Sequence, residues 1–186
     1  CTQTRPLVTG SVSTRGAISL FFCLCAISFA LVLTLNLLTI LLAIPAVLLA
    51  ASYPFMKRIT HTPQIVLGLA FSWGIPMAFA AQNGDVNAIA WPLMLANVAW
   101  TIAYDTEYAM VDRQDDLRIG IKSTAILFGQ YDRFIIALLQ LLTLLLLVVT
   151  GLSAVLTWPF YVAILFATLL MLYQQYLIRH REPAAC

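Results

Sequence analysis

The chain has 186 residues, of which 62% are hydrophobic and only 10% charged, with a formal net charge of +2. A soluble domain carries nearer a quarter charged residues. Composition therefore excludes an ordinary soluble fold and indicates an integral membrane protein, and so small a net charge excludes nucleic acid as a partner.

A helix needs ~20 mainly apolar residues to cross a bilayer core, and lipid admits only helices or closed barrels. Strand-length alternation is absent, so the apolar runs predict an all-α, polytopic transmembrane bundle forming a single domain over 1–186. In chain order the predicted spans are 17–36, 38–56, 64–81, 91–111, 133–152 and 159–178. The first follows Arg5 and Arg15, but its apolar core is too long for a signal peptide and lacks a small-x-small cleavage site. A very short turn at Asn36 leads to the second, which ends in "KRITHTP". The third ends in "QNGDVNAIA", and the fourth enters a long segment at 112–132. "LSAVLTW" joins the last two spans, and "RHREPAAC" closes the chain. Pro45 and Pro76 fall inside spans, where a kink is tolerated if neighbouring groups supply the missing hydrogen bonds. Cys23 and Cys25 have neither zinc nor redox spacing, and with Cys1 and Cys186 they read as small core or lipid-facing residues.

With six spans, Arg5, Arg15, Lys57, Arg58, Arg113, Arg118, Lys122, Arg133, Arg179 and Arg181 all fall on one side. They are all ten of the basic residues. The positive-inside bias makes that side cytoplasmic.

The same side holds the stretch "YDTEYAMVDRQDDLRIGIKST", with five of the eight carboxylates. On an unbroken helix, Asp105, Asp112 and Asp116 lie within about 20° of a common line. They form one stripe, with Tyr108 beside it. Glu107 points the opposite way and Asp115 lies off the stripe; both read as interfacial, solvated acids. Asp105 lies about two turns inside the span, and an acid at that depth is a functional-site hypothesis. Three like charges in a row repel one another unless a cation sits among them. The nearby donors are oxygens only, which suits Mg²⁺, Ca²⁺ or Mn²⁺ rather than zinc. Mg²⁺ is typically held by one or two carboxylates together with substrate phosphates. Lys57, Arg58 and Lys122 share this face and can meet the remaining phosphate charge. Acids, a metal and basic residues at the lip of an apolar bundle fit a ligand with a diphosphate head and a hydrocarbon tail. "GIKST" is not a nucleotide loop, because Ile121 separates Gly120 from Lys122 and no upstream glycine has the required spacing.

Three stretches, "TRPLVTG" at 4–10, "YPFMKRITHTPQIVLG" at 53–68 and "YDTEYAMVDRQDDLRIGIKSTAILFGQYD" at 104–132, resemble the UbiA-type intramembrane aromatic prenyltransferases. The likeness is greatest to the branch that acts on 4-hydroxybenzoate. The resemblance runs through essentially the whole chain. It implies a helical bundle, usually of nine spans, with two aspartate-rich motifs facing each other on the cytoplasmic side of a bacterial inner membrane, or of the mitochondrial one. The implied activity is Mg²⁺-dependent transfer of a polyprenyl group from polyprenyl diphosphate to the ring of 4-hydroxybenzoate, in ubiquinone biosynthesis. Asp112 and Asp116 are then the second-motif metal ligands and act in catalysis with Asp105. Arg58, Lys57, Lys122 and Tyr108 contact the diphosphate or the aromatic acid. The first motif precedes "RPL–TG" in the family, and the chain begins where that motif should have ended. It therefore reads as a fragment lacking roughly two spans before and one after.

Besides a purely structural subunit, which leaves Asp105 unexplained, two rival readings stay open at this stage. One is another acceptor within the family: dihydroxynaphthoate, homogentisate, a chlorophyll precursor or haem. The other is a cation channel or transporter, although a pore should carry polar residues through its full depth, and only Asn97 and Thr101 lie deeper on the fourth span.

Overall fold

The computed structural model describes residues 5–181, and every regular element in them is helical. Cys1, Cys186 and Thr4 of the first family-like stretch lie outside the described residues. The helices are α1 (Thr14–Leu33), α2 (Leu37–Ile59), α3 (Pro63–Ser72), α4 (Gly74–Asn83), α5 (Ala90–Ile119), α6 (Thr124–Phe128), α7 (Asp132–Ser153) and α8 (Trp158–Leu177). Short 3₁₀ turns at Gly129–Tyr131 and Ile178–His180 adjoin α7 and α8.

Polar residues sit where the helix ends need them. Ser13 caps α1 by accepting from the amide of Gly16 at 3.1 Å. Asn36 caps α2, accepting from the Thr39 amide at 2.9 Å, and its Nδ2 donates to the Ala80 carbonyl at 2.6 Å. One side chain thus ends the tight turn and fastens the start of α2 to the end of α4. The third predicted span is broken in two at Trp73. Pro76 explains the break: it has no amide to give the Ser72 carbonyl, and its ring crowds that carbonyl. The Trp73 indole donates across to the Leu42 carbonyl of α2 at 2.9 Å.

Five segments are long and apolar enough to cross a membrane: Thr14–Leu33, Leu37–Ile59, Pro63–Asn83, Thr124–Ser153 and Trp158–His180. With the family membership established below, they make the protein an integral membrane protein. The sequence suggested six such spans. The remaining one, the fourth in chain order, is α5; it has 30 residues, ample length, but Asn97, Thr101, Asp105, Thr106 and Glu107 dilute its apolarity. Several of its polar residues are covered by protein, Thr101 and Thr106 fully. The helices pack in chain order, α1 on α2, α2 on α3 and α4, α3 on α5, α5 on α7 and α7 on α8, with α5–α7 the most extensive contact. Thr101, Ala103, Thr106 and Met110 of α5 are buried, Ala103 and Met110 in a cluster with Ile136 of α7. α3 approaches α5 closely at Gly68, where an added Cβ would lie 3.2 Å from the Val98 carbonyl oxygen; a small residue is what permits that approach. α1 has no buried residue and packs against α2 alone among the larger contacts.

Candidate active site

α5 remains helical past the end of its apolar part, through Ile119. That continuity is the condition for one acidic stripe, so Asp105, Asp112 and Asp116 share a face of α5. At 1.5 Å rise per residue, Asp112 and Asp116 are about 6 Å apart along the axis, and Asp105 lies about 10 Å deeper than Asp112. One ion can therefore be shared by Asp112 and Asp116 but not by all three. Asp112 is exposed, and Asp116 and Asp105 are partly buried. Among the described residues no three acidic, histidine or cysteine side chains converge on a metal-sized site. Two carboxylates remain, the number with which Mg²⁺ is commonly held when waters and phosphates complete its shell. Burial pushes the Asp116 carboxyl above the usual range; Lys57 opposes this, and Asp112 and Asp115 reinforce it.

The basic residues come from α2 and from the loop after α5. Lys57 stands within electrostatic reach of both Asp105 and Asp116. Arg58 is exposed beside it. The loop is built by "GIKST". Gly120 adopts a left-handed conformation, φ 72°, and ends α5, a geometry that costs glycine little. The Ile121 amide then returns to the Asp116 carbonyl at 2.9 Å. The Lys122 amide donates to the Lys57 carbonyl at 3.1 Å, and its ammonium to the Ile59 carbonyl at 3.1 Å. Ser123 caps α6, and the Thr124 hydroxyl pairs with that of Thr106 at 2.7 Å. The segment that resembled a phosphate loop is thus a clasp joining the end of α5 to the basic end of α2.

A line of aromatic rings runs along α5 on the flank of the acidic stripe. Trp100 and Tyr104 have ring centroids 5.6 Å apart, and Tyr104 and Tyr108 6.2 Å apart. Tyr108 is 66% exposed and stands one turn from Asp112. Tyr53 of α2 faces Asp105 and Tyr104. At the other end, Trp100 borders an apolar cavity of about 390 Å³ walled by α4, α5, α7 and α8, with Leu93, Leu147, Leu170 and Met171 among its lining.

The off-stripe acids behave differently from each other. Asp115 is solvated as expected, 78% exposed, with Arg118 at 3.7 Å. Glu107 is not solvated: it is 8% exposed, and its Oε1 is buried without a hydrogen-bond partner. The outward angle that suggested an interfacial acid turns it into the interior of the bundle. Two further polar residues carried no sequence signal. Gln64 is fully buried and accepts from the Thr124 amide through Oε1 at 3.3 Å. Asp132, also fully buried, accepts from Arg113 and from the Arg181 guanidinium at 2.8 Å.

The sequence matches the UbiA prenyltransferase family over residues 1–186. The chain belongs to that family. It is 55% identical over 185 residues to the 4-hydroxybenzoate octaprenyltransferase of Photobacterium profundum, covering 100% of this chain and 64% of that protein. It is 57% identical over 185 residues to the protein of the same name from Aliivibrio fischeri (strain ATCC 700601 / ES114), covering 100% of this chain and 65% of that protein. A protein of that name from Coxiella burnetii (strain CbuK_Q154) is also 57% identical over 185 residues, with coverage of 100% and 64%. The chain thus spans 64–65% of the length of these curated relatives. Among solved structures it is similar to the apo structure of a UbiA homolog from Aeropyrum pernix K1, with TM-score 0.84, 25% identity, and coverage of 95% of this chain and 67% of that one. The helical fold drawn from apolar runs and the family drawn from three stretches of sequence both stand.

Proposed function

We propose that residues 1–186 act as one transmembrane domain of a Mg²⁺-dependent enzyme that transfers a polyprenyl group from polyprenyl diphosphate to the ring of 4-hydroxybenzoate, in ubiquinone biosynthesis. The setting is a bacterial inner membrane with the basic end in the cytoplasm. What carries the reading is the acidic face of α5 lying across from Lys57 at the basic end of an apolar bundle. The relatives' names supply the donor and acceptor.

Asp112 and Asp116 are the residues that would hold Mg²⁺, and their donor chemistry fits it. Bound there, the ion supplies Lewis-acid neutralisation of the diphosphate leaving group. The remaining phosphate charge falls to Lys57 and Lys122, and the acceptor's carboxylate to Arg58, where a guanidinium can bind it through two hydrogen bonds. In the reaction the allylic C–O bond breaks and diphosphate leaves with the bonding electrons. A new C–C bond forms at the ring carbon ortho to the phenol hydroxyl, and the proton on that carbon is lost to Asp105. Tyr53 and Tyr104 wall the path, with Tyr108 at its mouth, and keep water from a carbocation that it would otherwise capture. The hydrocarbon tail follows the aromatic line toward the apolar cavity beyond Trp100.

The test is a transfer assay on the intact enzyme in lipid, with one prenyl diphosphate and each family acceptor in turn, with Mg²⁺ and with chelator. Ring-prenylated 4-hydroxybenzoate formed only with the metal supports the reading. Preference for another acceptor, or equal turnover in chelator, removes it.

A further inference from the structure

Gln64 sits at the start of α3, with no exposed surface. Helices α3 and α5 run antiparallel in close contact, with Gly68 against Val98. One turn from Gly68 toward the basic end, Gln64 therefore meets α5 one turn beyond Val98, at the level of residues 102–106. Two hydrogen bonds tie this place down. The Thr124 amide donates to Gln64 Oε1 at 3.3 Å, and the Thr124 hydroxyl meets that of Thr106, the neighbour of Asp105, at 2.7 Å.

The first bond fixes which way the amide points. A backbone N–H can only donate, so it must face the oxygen of the glutamine. Nε2, a donor with two hydrogens, is left on the opposite side. That side faces Asp105. Nε2 is buried and completes no hydrogen bond of normal geometry, with the Asp105 carboxylate as its neighbour. A buried amide donor without a partner is costly, and glutamine at this depth has no packing advantage over leucine or methionine. The charged and titratable groups around Asp105 are Lys57 and Tyr53 on α2 and Tyr104 on its own helix. Of these, Lys57 also serves Asp116. Gln64 is the donor reserved for Asp105.

We propose that Gln64 is a positioning residue for Asp105: its Nε2 donates to that carboxylate in the loaded site and aims it at the substrate, while its Oε1 couples the same carboxylate to the Lys122–Thr124 clasp. This rests on the reading of Asp105 as the proton acceptor. Gln64 therefore acts on the rate of the chemical step and not on capture of the prenyl diphosphate, whose phosphates lie with Asp112, Asp116 and the basic residues.

The experiment compares wild type, Gln64→Leu and Gln64→Glu in the intact enzyme, with thermal unfolding recorded alongside. Gln64→Leu removes both ends of the amide. Gln64→Glu keeps the acceptor for Thr124 and loses the donor, and it is assayed above pH 8 to drive the new acid toward its ionised form. The expected result is a kcat lower by roughly ten- to a hundredfold in both variants, from misplacement of one catalytic group. KM for the prenyl diphosphate should stay within about twofold of wild type; Gln64→Glu should unfold below wild type, because its ionised acid is buried, so kcat is taken per folded enzyme from the melt. Wild-type kcat in Gln64→Glu would show that anchoring α6 is the whole role of this side chain, and would overturn the inference. So would a raised KM with unchanged kcat in Gln64→Leu. Failure of the wild type to transfer any prenyl group to 4-hydroxybenzoate would instead remove the underlying reading.

Discussion

Lys122 reaches back across the basic end of the bundle and donates its ammonium to the carbonyl of Ile59 at 3.1 Å, while its own amide is bonded to Lys57 at 3.1 Å. Ile59 ends α2, where free carbonyls and the helix dipole favour a cation. Lys122 is thus held by the protein before any anion arrives, at the same end of the bundle as Lys57. Lys122→Ala should raise KM for the prenyl diphosphate about tenfold and lower stability by about 1 kcal/mol, the typical net worth of one hydrogen bond. Lys122→Arg should keep most of the affinity. Steady-state kinetics with a thermal melt in detergent checks both; an unchanged KM would leave Lys122 a clasp residue alone.

Asp112 and Asp116 are one turn apart on a continuous α5. Asp112→Ala or Asp116→Ala should abolish turnover, and Asp112→Asn should raise the Mg²⁺ concentration needed for half-maximal rate. Asp115→Ala is the internal control: this acid is solvated and meets only an exposed arginine, a contact worth little, so activity should stay within about twofold. Because burial holds the Asp116 carboxyl above its ordinary range, protons compete with the cation at a higher pH than they would for a free aspartate. Apparent Mg²⁺ affinity should accordingly fall as the medium is acidified. Metal titrations at several pH values test the sign.

How far these roles could be read without the fold differs from residue to residue. The spans, the one-sided distribution of Lys and Arg, and the Asp105–Asp112–Asp116 line were legible because each depends on local spacing along one chain segment. The break at Trp73 was half legible: Pro76 was visible, but a proline can kink a helix or end it, and the outcome depends on partners such as the Leu42 carbonyl. Gln64 and Asp132 were invisible for a deeper reason. Each sits at a span boundary, where a polar residue is the default. Only packing shows that both are fully buried. Glu107 misled for a related reason. Helical angle gave its direction correctly, but not whether lipid, water or another helix lies that way.

Glu107 makes a separate prediction. Its carboxyl is buried against the bundle and Oε1 has no partner, so an ionised form there is unfavourable. Glu107→Gln keeps the shape and removes the possibility of charge. It should leave kcat unchanged and put the melting temperature at or above that of wild type. Glu107→Lys should prevent accumulation of folded protein, since it sets an unpaired cation in the same place. A large loss of activity in folded Glu107→Gln would show that the proton on this group is used in turnover, and would add an acid to the site described above.

Asp132 is the acid on which three parts of the chain converge. It opens α7, is fully buried, and accepts from Arg113 of α5 and from Nε and Nη2 of Arg181, which follows α8, while the Arg133 amide donates to it at 2.7 Å. The same two arginines also donate to the carbonyls of Gly129 and Gln130. Together these bonds close the loop between α6 and α7. Removing the carboxylate leaves two guanidinium groups facing each other, Arg113 partly buried and Arg181 exposed, a change that costs about 3 kcal/mol, the low end for a broken buried pair. Asp132→Ala should therefore lower the melting temperature steeply and reduce the folded fraction in the membrane. Asp132→Asn should do slightly less harm, because it keeps one acceptor oxygen. The metal requirement of whatever folds should match wild type, since Asp132, at the start of α7, pairs with Arg113 of α5 and not with the acidic residues. A raised Mg²⁺ requirement in folded Asp132→Asn would contradict this and draw the Arg113–Asp132 pair into the second metal motif.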